Sequence, residues 1–451
     1  CIYGVDLNDL ATELSRLSLW IHTFVPGLPL TFLDYNLRAG DSIVGIGTLD
    51  ELDGIIDVNQ KSMGQFMAGG SDAFEDIQQD ISRIGQMADA DASEVQEARE
   101  TRQKIEESLE QTRAAFDILA ASQIDERINP NTATLAEEDI KSLTSYEYAQ
   151  ESLGPIEPVH FPAMFPEVFE GDDPGFDVIV GNPPWDKVLF EAQQFWVTRH
   201  PGLNTLGKKK RKQKIKELRQ QYPSEAREEE REQEERERYQ DYVKEAYEDQ
   251  GRGHKELAKL FVERATDLLN EDGDLGYVLP RQSLVLGGWK QLRRRLFKDS
   301  ELTVLQARNA GGWIFEDVEH RYMVVLITQL PADDEEGAYI WPATENEKAL
   351  KNASRENALY LSRNDLANLT TENHLVIPWF NNSNAREIYP KMQKKTRLYS
   401  DDGWVSGISD TRWDFTNSGP HSDIKKEEPD PGDWKVFMTR HVEQYKLNRE
   451  K

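Results

Sequence analysis

A chain of 451 residues with 54 Lys and Arg against 82 Asp and Glu carries a formal charge of −28, which excludes a surface that is basic throughout. Its single cysteine excludes a disulfide framework and points to a reducing, cytoplasmic setting. No run of about 18 apolar residues offers a membrane span, and the amino end is unlike a secretory signal. The acidic excess is spread along the chain, as expected in a halophile, where salt screens self-repulsion; a partner other than nucleic acid is the alternative. In a salt-rich cell phosphate contacts weaken, so base contacts and shape must carry more of any DNA binding. The first residue is Cys rather than Met, the expectation for a fragment or a processed product.

In chain order, residues 1–48 read as compact α/β. Cys1 to Val5 forms a strand ending in Asp6, and Leu7 to Phe24 carries Leu10, Leu14, Leu17 and Ile21 at helical spacing, with Asn8 or Asp9 as cap. A short strand begins at Thr31, and Asn36–Ser42 is a turn leading into Ile43-Val44. Residues 49–154 read as a helical insertion, with a long charged helix from Glu94 to Ala121. It serves as a solvated spacer or a packed hairpin.

Residues 155–330 return to α/β, interrupted by a charged helical insertion at 200–252. Phe176 to Gly181 reads as a short buried strand, followed by Asn182-Pro183-Pro184-Trp185. Open α/β sheets bind ligands at the carboxyl ends of their strands. Two prolines fix the backbone there, so the Asn182 amide and the Pro183 carbonyl point in set directions beside an aromatic ring. Two acceptors and a ring suit a flat heterocycle with an exocyclic amine. Diproline after a strand is commonly just a turn, but the strand in front and the aromatic behind favour a site. The basic run Lys208, Lys209, Lys210, Arg211, Lys212 is either a DNA contact or a solvated face. Glu225 to Arg238 alternates charge without apolar periodicity, as in an exposed helix with i,i+4 ion pairs or a partly disordered segment.

Leu257 to Leu269 is an amphipathic helix stopped at Gly273 by a glycine C-cap. Leu275–Leu279, Leu302–Leu305 and Arg321–Thr328 are strands, and Trp289–Phe297 is a helix. Residues 331–451 are rich in Pro, Asn and Asp with scattered tryptophans, which suggests a separate, irregular domain. Asp6 suits ribose hydroxyls or a helix dipole, and Asp41 suits an adenine amino group or an ordinary turn.

Ile2 to Asn8, Ala39 to Ser42, Phe176 to Trp185, Gly276 to Pro280 and Gly312 to Glu316, in that order, resemble motifs of N6-adenine DNA methyltransferases. The likeness is to the type IIG restriction–modification and phage-defence enzymes that use S-adenosylmethionine, and it spans roughly residues 1–48 and 170–330. It implies a Rossmann-like α/β methyltransferase sheet with helical insertions and, at 331–451, the start of a C-terminal target-recognition domain. Arg412–Ser418 and Trp434–Met438 resemble the opening of that domain.

Residue by residue, the resemblance implies that Asp6 holds the cofactor ribose and Asp41 its adenine. Asn182 and the Pro183 carbonyl accept from the target amine, Trp185 stacks on the base, and Phe315 packs on its other face. The partner implied is double-stranded DNA with a flipped adenine. No metal and no covalent nucleophile is needed. The family's glycine-rich cofactor loop precedes the Asp6 strand and is absent from these residues. The expectation is therefore an incomplete cofactor site, completed by a missing N-terminal segment or another subunit such as a restriction subunit. Competing readings are a catalytically incomplete DNA-binding subunit, an N4-cytosine enzyme, and a protein-glutamine methyltransferase.

Overall fold

The computed structural model describes residues 2–23, 33, 35–55, 92–129, 139–154, 156–169, 173–251, 255–316, 318–332, 336–369, 374–380, 384, 388–389, 391, 442–443 and 446–447. The chain divides into two compact units, Cys1–Arg386 and Glu387–Lys451. In the second unit the described element is a strand pair, Val442–Glu443 with Lys446–Leu447, running antiparallel. The expected recognition segments at 412–418 and 434–438 lie outside the described residues.

The first unit is mixed α/β. Strand β1 (Gly4–Asp6) runs parallel to β2 (Leu37–Ala39), with Asp6 opposite Ala39. Between them helix α1 (Asp9–Thr23) begins at Asn8, whose side-chain Oδ1 accepts from the amides of Leu10 at 2.9 Å and Ala11 at 3.2 Å. That is the cap the sequence suggested. The apolar row on α1 behaves otherwise: Leu10, Leu14, Leu17 and Ile21 are all exposed. The start of the strand expected from Thr31 lies outside the described residues, and β2 instead forms within Asn36–Ser42, the segment read as a turn.

A separate six-stranded mixed sheet has the order β3-β4-β6-β5-β7-β8. Its strands are β3 (Phe176–Gly181), β4 (Leu269–Pro280), β5 (Ser300–Arg308), β6 (Met323–Pro331), β7 (Gly337–Thr344) and β8 (Leu359–Ser362). Strand β3 is parallel to β4, and β5 to β7, while β6 runs antiparallel between β4 and β5. The apolar runs Leu302, Val304 and Val324, Val325, Ile327 are buried because both faces of these central strands are covered.

Three expectations change here. Strand β3 is an edge strand, not a buried one, and its Val178 and Val180 are 57% and 76% exposed. Residues 270–274 belong to β4 rather than to a helix-ending turn. The preceding helix ends at Leu268, and a register shift lies between the pairs Phe176–Leu269 and Val178–Asp274. Third, the stretch after 330, expected as a separate irregular domain, begins with β7 and β8, which extend this sheet: β7 runs parallel to β5, with Glu301 opposite Gly337, and β8 pairs antiparallel to β7.

Helices α2 (Leu49–Ile55), α3 (Ala92–Ser122) and α4 (Thr144–Leu153) follow β2. Short helices α5 (Phe161–Met164) and α6 (Pro166–Phe169) lead to β3. Between β3 and β4 lie α7 (Ala192–Arg199), α8 (Lys208–Gln221), α9 (Pro223–Ala246) and α10 (Leu257–Leu268). Two insertions meet in one core: Phe116, Ile118 and Leu119 of α3 join Tyr242 and Val243 of α9 around Ile43, Val44 and Ile46. A second cluster, Phe161, Phe165, Phe169 and Leu268, packs under Tyr3 and Val5 of the β1 segment and under Phe176 and Ile179 of β3.

Helix α9 is largely exposed, with the i,i+4 pair Arg231–Glu235 at 3.6 Å, but it is also packed. Its charges reach across helices: Glu229 is buried against Arg219 of α8 at 2.6 Å, and Arg199 of α7 meets Glu228 and Glu232 at 3.1 Å. Among the described residues, no helix is long and apolar enough to cross a membrane.

Candidate active site

Strand β3 delivers Asn182-Pro183-Pro184-Trp185 at its carboxyl end, one residue beyond the pairing of Gly181 with Tyr277 on β4. Gly181 sits tightly against that neighbour: a Cβ there would stand 3.0 Å from the Tyr277 ring. Pro183 is buried, Asn182 and Pro184 are exposed, and Trp185 is half-buried. The Trp185 indole Nε1 donates to the Val278 carbonyl of β4 at 3.3 Å, which ties the ring to the adjacent strand.

The chain beyond the motif is also fixed. The Leu257 amide donates to the Asp186 carbonyl at 2.9 Å, and the Val188 amide donates to the Lys255 carbonyl at 3.0 Å. Held on both sides, the motif keeps its direction without depending on side-chain order alone.

Phe315 lies in the turn between β5 and β6. Its ring meets Trp185 edge to face, with centroids 6.3 Å apart and planes at 85°. The structure thus brings together two aromatics separated by 130 residues of sequence, one of them in the motif that Asn182 opens. A base held between two parallel rings needs about 7 Å between them, twice a stacking contact of about 3.5 Å. The perpendicular pair does not offer that slot, so one ring must turn for both to stack on one base.

Asp6 ends β1, and Asp41 lies two residues beyond β2, its parallel neighbour. Asp6 is exposed, and its Oδ1 accepts from the Asn8 amide at 2.8 Å. The Gly40 amide donates to the Asp6 carbonyl at 3.0 Å, so Asp41 comes next after the strand that pairs with Asp6. Gly40 has φ 149°, and a Cβ on it would stand 2.6 Å from Val159, so this corner admits only glycine.

The Asp41 carboxylate accepts from the Ile43 amide at 2.9 Å and from the Tyr239 hydroxyl at 3.4 Å. Burial pushes its pKa above the ordinary carboxylate value, against the pull of those donors. Tyr239 comes from the charged insertion, and two further tyrosines there hold the same segment. The Tyr242 hydroxyl accepts from the Gly45 amide at 3.0 Å, and the Tyr247 hydroxyl donates to the Ile43 carbonyl at 2.6 Å. Arg264 of α10 completes the clasp, donating to Tyr247 Oη at 2.9 Å and to the Gly45 carbonyl at 3.0 Å and pairing with Glu51.

Sequence reasoning gives these tyrosines no role. Three hydroxylated rings in a Glu- and Arg-rich stretch are the available signal; their target, about 200 residues away, is not visible from it. Of the basic run on α8, Lys208, Lys209, Lys210 and Lys212 are exposed. Arg211 is turned to another use, donating to the carbonyls of Leu203 at 3.0 Å, Asn204 at 3.3 Å and Leu206 at 3.0 Å. Buried Ile215 and Leu218 seat this helix on Phe195 and Trp196.

A family model described as Eco57I restriction-modification methylase matches residues 1–217 and 226–309. No curated protein matches the chain. Among solved structures, a cryoEM DrdV–DNA complex is similar at 14% identity and TM-score 0.25, covering 49% of this chain and 18% of that one. A modification subunit of a putative type I restriction enzyme from Vibrio vulnificus YJ016 is similar at 14% identity and TM-score 0.25, covering 34% and 36%. The chain therefore spans only 18% and 36% of the length of these two structures.

Proposed function

Because this chain belongs to the Eco57I restriction-modification methylase family, we propose that it transfers a methyl group from S-adenosylmethionine to N6 of adenine in DNA. The observation that carries the reading is the Trp185–Phe315 pair, 6.3 Å apart at the end of the strand that delivers Asn182. A base must leave the duplex to reach such a site, at a cost of a few kcal/mol. Stacking on an aromatic ring offsets about 1–3 kcal/mol of that.

Asn182 and the Pro183 carbonyl are the catalytic acceptors in this reading. Adenine N6 is a weak nucleophile because its lone pair is delocalised into the ring. Two acceptors fixed by the diproline backbone draw on the N6 hydrogens and favour the pyramidal nitrogen of the transition state. The N6–C bond forms as the C–S bond breaks, and the surplus N6 proton passes to solvent. Alignment of the two reacting atoms adds the proximity contribution.

Asp6 and Asp41 would hold the cofactor's ribose and adenine. The chemistry fits: hydroxyls and an amino group are donors, and two carboxylates at the ends of adjacent parallel strands are acceptors. When bound, the cofactor supplies a methyl group made electrophilic by its sulfonium. Exposed Lys208, Lys209, Lys210 and Lys212 would meet the DNA backbone, and the recognition of sequence would fall to residues beyond the sheet.

Nucleosides from the DNA of a methylation-free bacterium expressing the full-length protein test the reading by mass spectrometry. N6-methyladenine is expected, and it disappears with Asn182→Ala. N4-methylcytosine instead, or no modified base, overturns the proposal.

A further inference from the structure

Strand β5 ends at Arg308, and the next residue, Asn309, is completely buried. Its main chain remains tied to the sheet, since its amide donates to the Tyr322 carbonyl at 3.0 Å. Its side chain does something else. Asn309 Nδ2 donates to the carbonyls of Phe315 at 2.9 Å and Val318 at 3.0 Å, while its Oδ1 accepts from the amides of Ile314 at 3.1 Å and Phe315 at 3.0 Å. One side-chain amide thus grips both polar groups of the Phe315 backbone.

The intervening chain is shaped to allow this. Gly311 and Gly312 adopt φ of 71° and 76°, the left-handed region that folds the turn back on itself. The Trp313 indole donates to the Arg308 carbonyl at 2.6 Å, closing the turn from the other side.

We propose that Asn309 is a positioning residue that sets the Phe315 ring opposite Trp185, so that an extruded purine meets a ring whose backbone is already fixed. The proposal rests on the base-binding reading of the Trp185–Phe315 pair. Its chemistry is selective. Holding an N–H and a C=O of the same residue takes a short side chain with both an acceptor and a donor. Aspartate would keep the two amides but set a carboxylate against the carbonyls, and leucine would offer neither. With the backbone fixed, Phe315 retains only its two side-chain torsions, so little freedom remains to be lost when a base arrives.

The test uses the full-length protein and a short duplex of the sequence it methylates, with 2-aminopurine at the target position. Phe315→Ala and Asn309→Ala are both expected to leave the extruded probe brighter than wild type, because neither stacks a ring upon it. Each is expected to lower kcat by about 5- to 150-fold, the equivalent of the ~1–3 kcal/mol of base–aromatic stacking, with KM for S-adenosylmethionine unchanged. If Asn309 acts through Phe315, the double variant is no slower than Phe315→Ala.

Wild-type emission and rate in Asn309→Ala, alongside an altered Phe315→Ala, overturn this inference alone. Full addition of the two losses overturns it as well. An unaltered Phe315→Ala, or a probe that wild type does not brighten, overturns the base-binding reading and this inference with it. Should Asn309→Ala fail to fold, Asn309→Ser is read in the same way. Leu302→Ala, buried in β5 just before this turn, controls for lost stability and is expected to keep the wild-type probe signal.

Discussion

Trp185 and Phe315 meet edge to face at 6.3 Å, one ring bonded to the Val278 carbonyl of β4 and the other carried on the turn after β5. Edge-to-face contact is a favourable resting arrangement for two rings, worth about 0.5–1.5 kcal/mol. Parting them for a base forfeits that amount. Trp185→Ala is therefore expected to cost less than the full stacking energy, about 5- to 20-fold in kcat/KM for DNA. Steady-state kinetics with varied DNA checks this, and an unchanged kcat/KM would remove Trp185 from the site.

Asn182→Ala is expected to lower kcat by about 10²- to 10³-fold, as loss of one preorganised transition-state partner does elsewhere. DNA affinity in a gel-shift titration should stay at the wild-type level. A parallel loss of affinity would mean that Asn182 binds the base without assisting transfer.

Asp41 ties a pH dependence to the proposed cofactor site. Burial raises its pKa, so the protonated form is the one favoured by folding. Its contribution to stability is complete below the ordinary carboxylate range and is lost as pH climbs through the raised value. Asp41→Asn is expected to melt higher than wild type at neutral pH, with the gap closing below about pH 4. The same substitution should raise KM for S-adenosylmethionine. A variant less stable than wild type at every pH would contradict the first half of this prediction.

Arg264 is buried and bonded to Tyr247, Gly45 and Glu51. Arg264→Ala is expected to destabilise the fold by about 3–5 kcal/mol, because Glu51 and two buried oxygens lose their shared donor. Denaturant unfolding measures it. A change under about 1 kcal/mol would mean that water takes over those bonds.

Replacing Lys208, Lys209, Lys210 and Lys212 together with Gln should weaken DNA binding equally on all sequences. The slope of log K against log salt should fall by about 0.9 for each phosphate that the four lysines had neutralised. An unchanged slope would mark α8 as a solvated face balancing the acidic α9.

The parts of this molecule that are legible in its sequence are local ones. Asn8 caps α1, and the strand before Asn182 is recognisable from Val178, Ile179 and Val180 with diproline behind it. What the sequence hides depends on distant partners. Gly273 looks like a helix stop, but a Cβ there would lie 2.9 Å from the Phe176 carbonyl, so this glycine serves the close approach of β4 to β3 at the register shift. Tyr239, Tyr242 and Tyr247 look like rings in a charged rod until Asp41, Ile43 and Gly45 are placed beside them. Asn309 carries no motif at all; its four bonds to residues 314–318 are a property of the folded turn.

The two anchors of the ring pair, the Val278 carbonyl and the Asn309 side chain, both belong to or adjoin the six-stranded sheet. Neither anchor is supplied by the helical insertions. On the proposed reading, a lineage built on this scaffold can exchange the word it reads on DNA while inheriting, unaltered, the hand that writes on it.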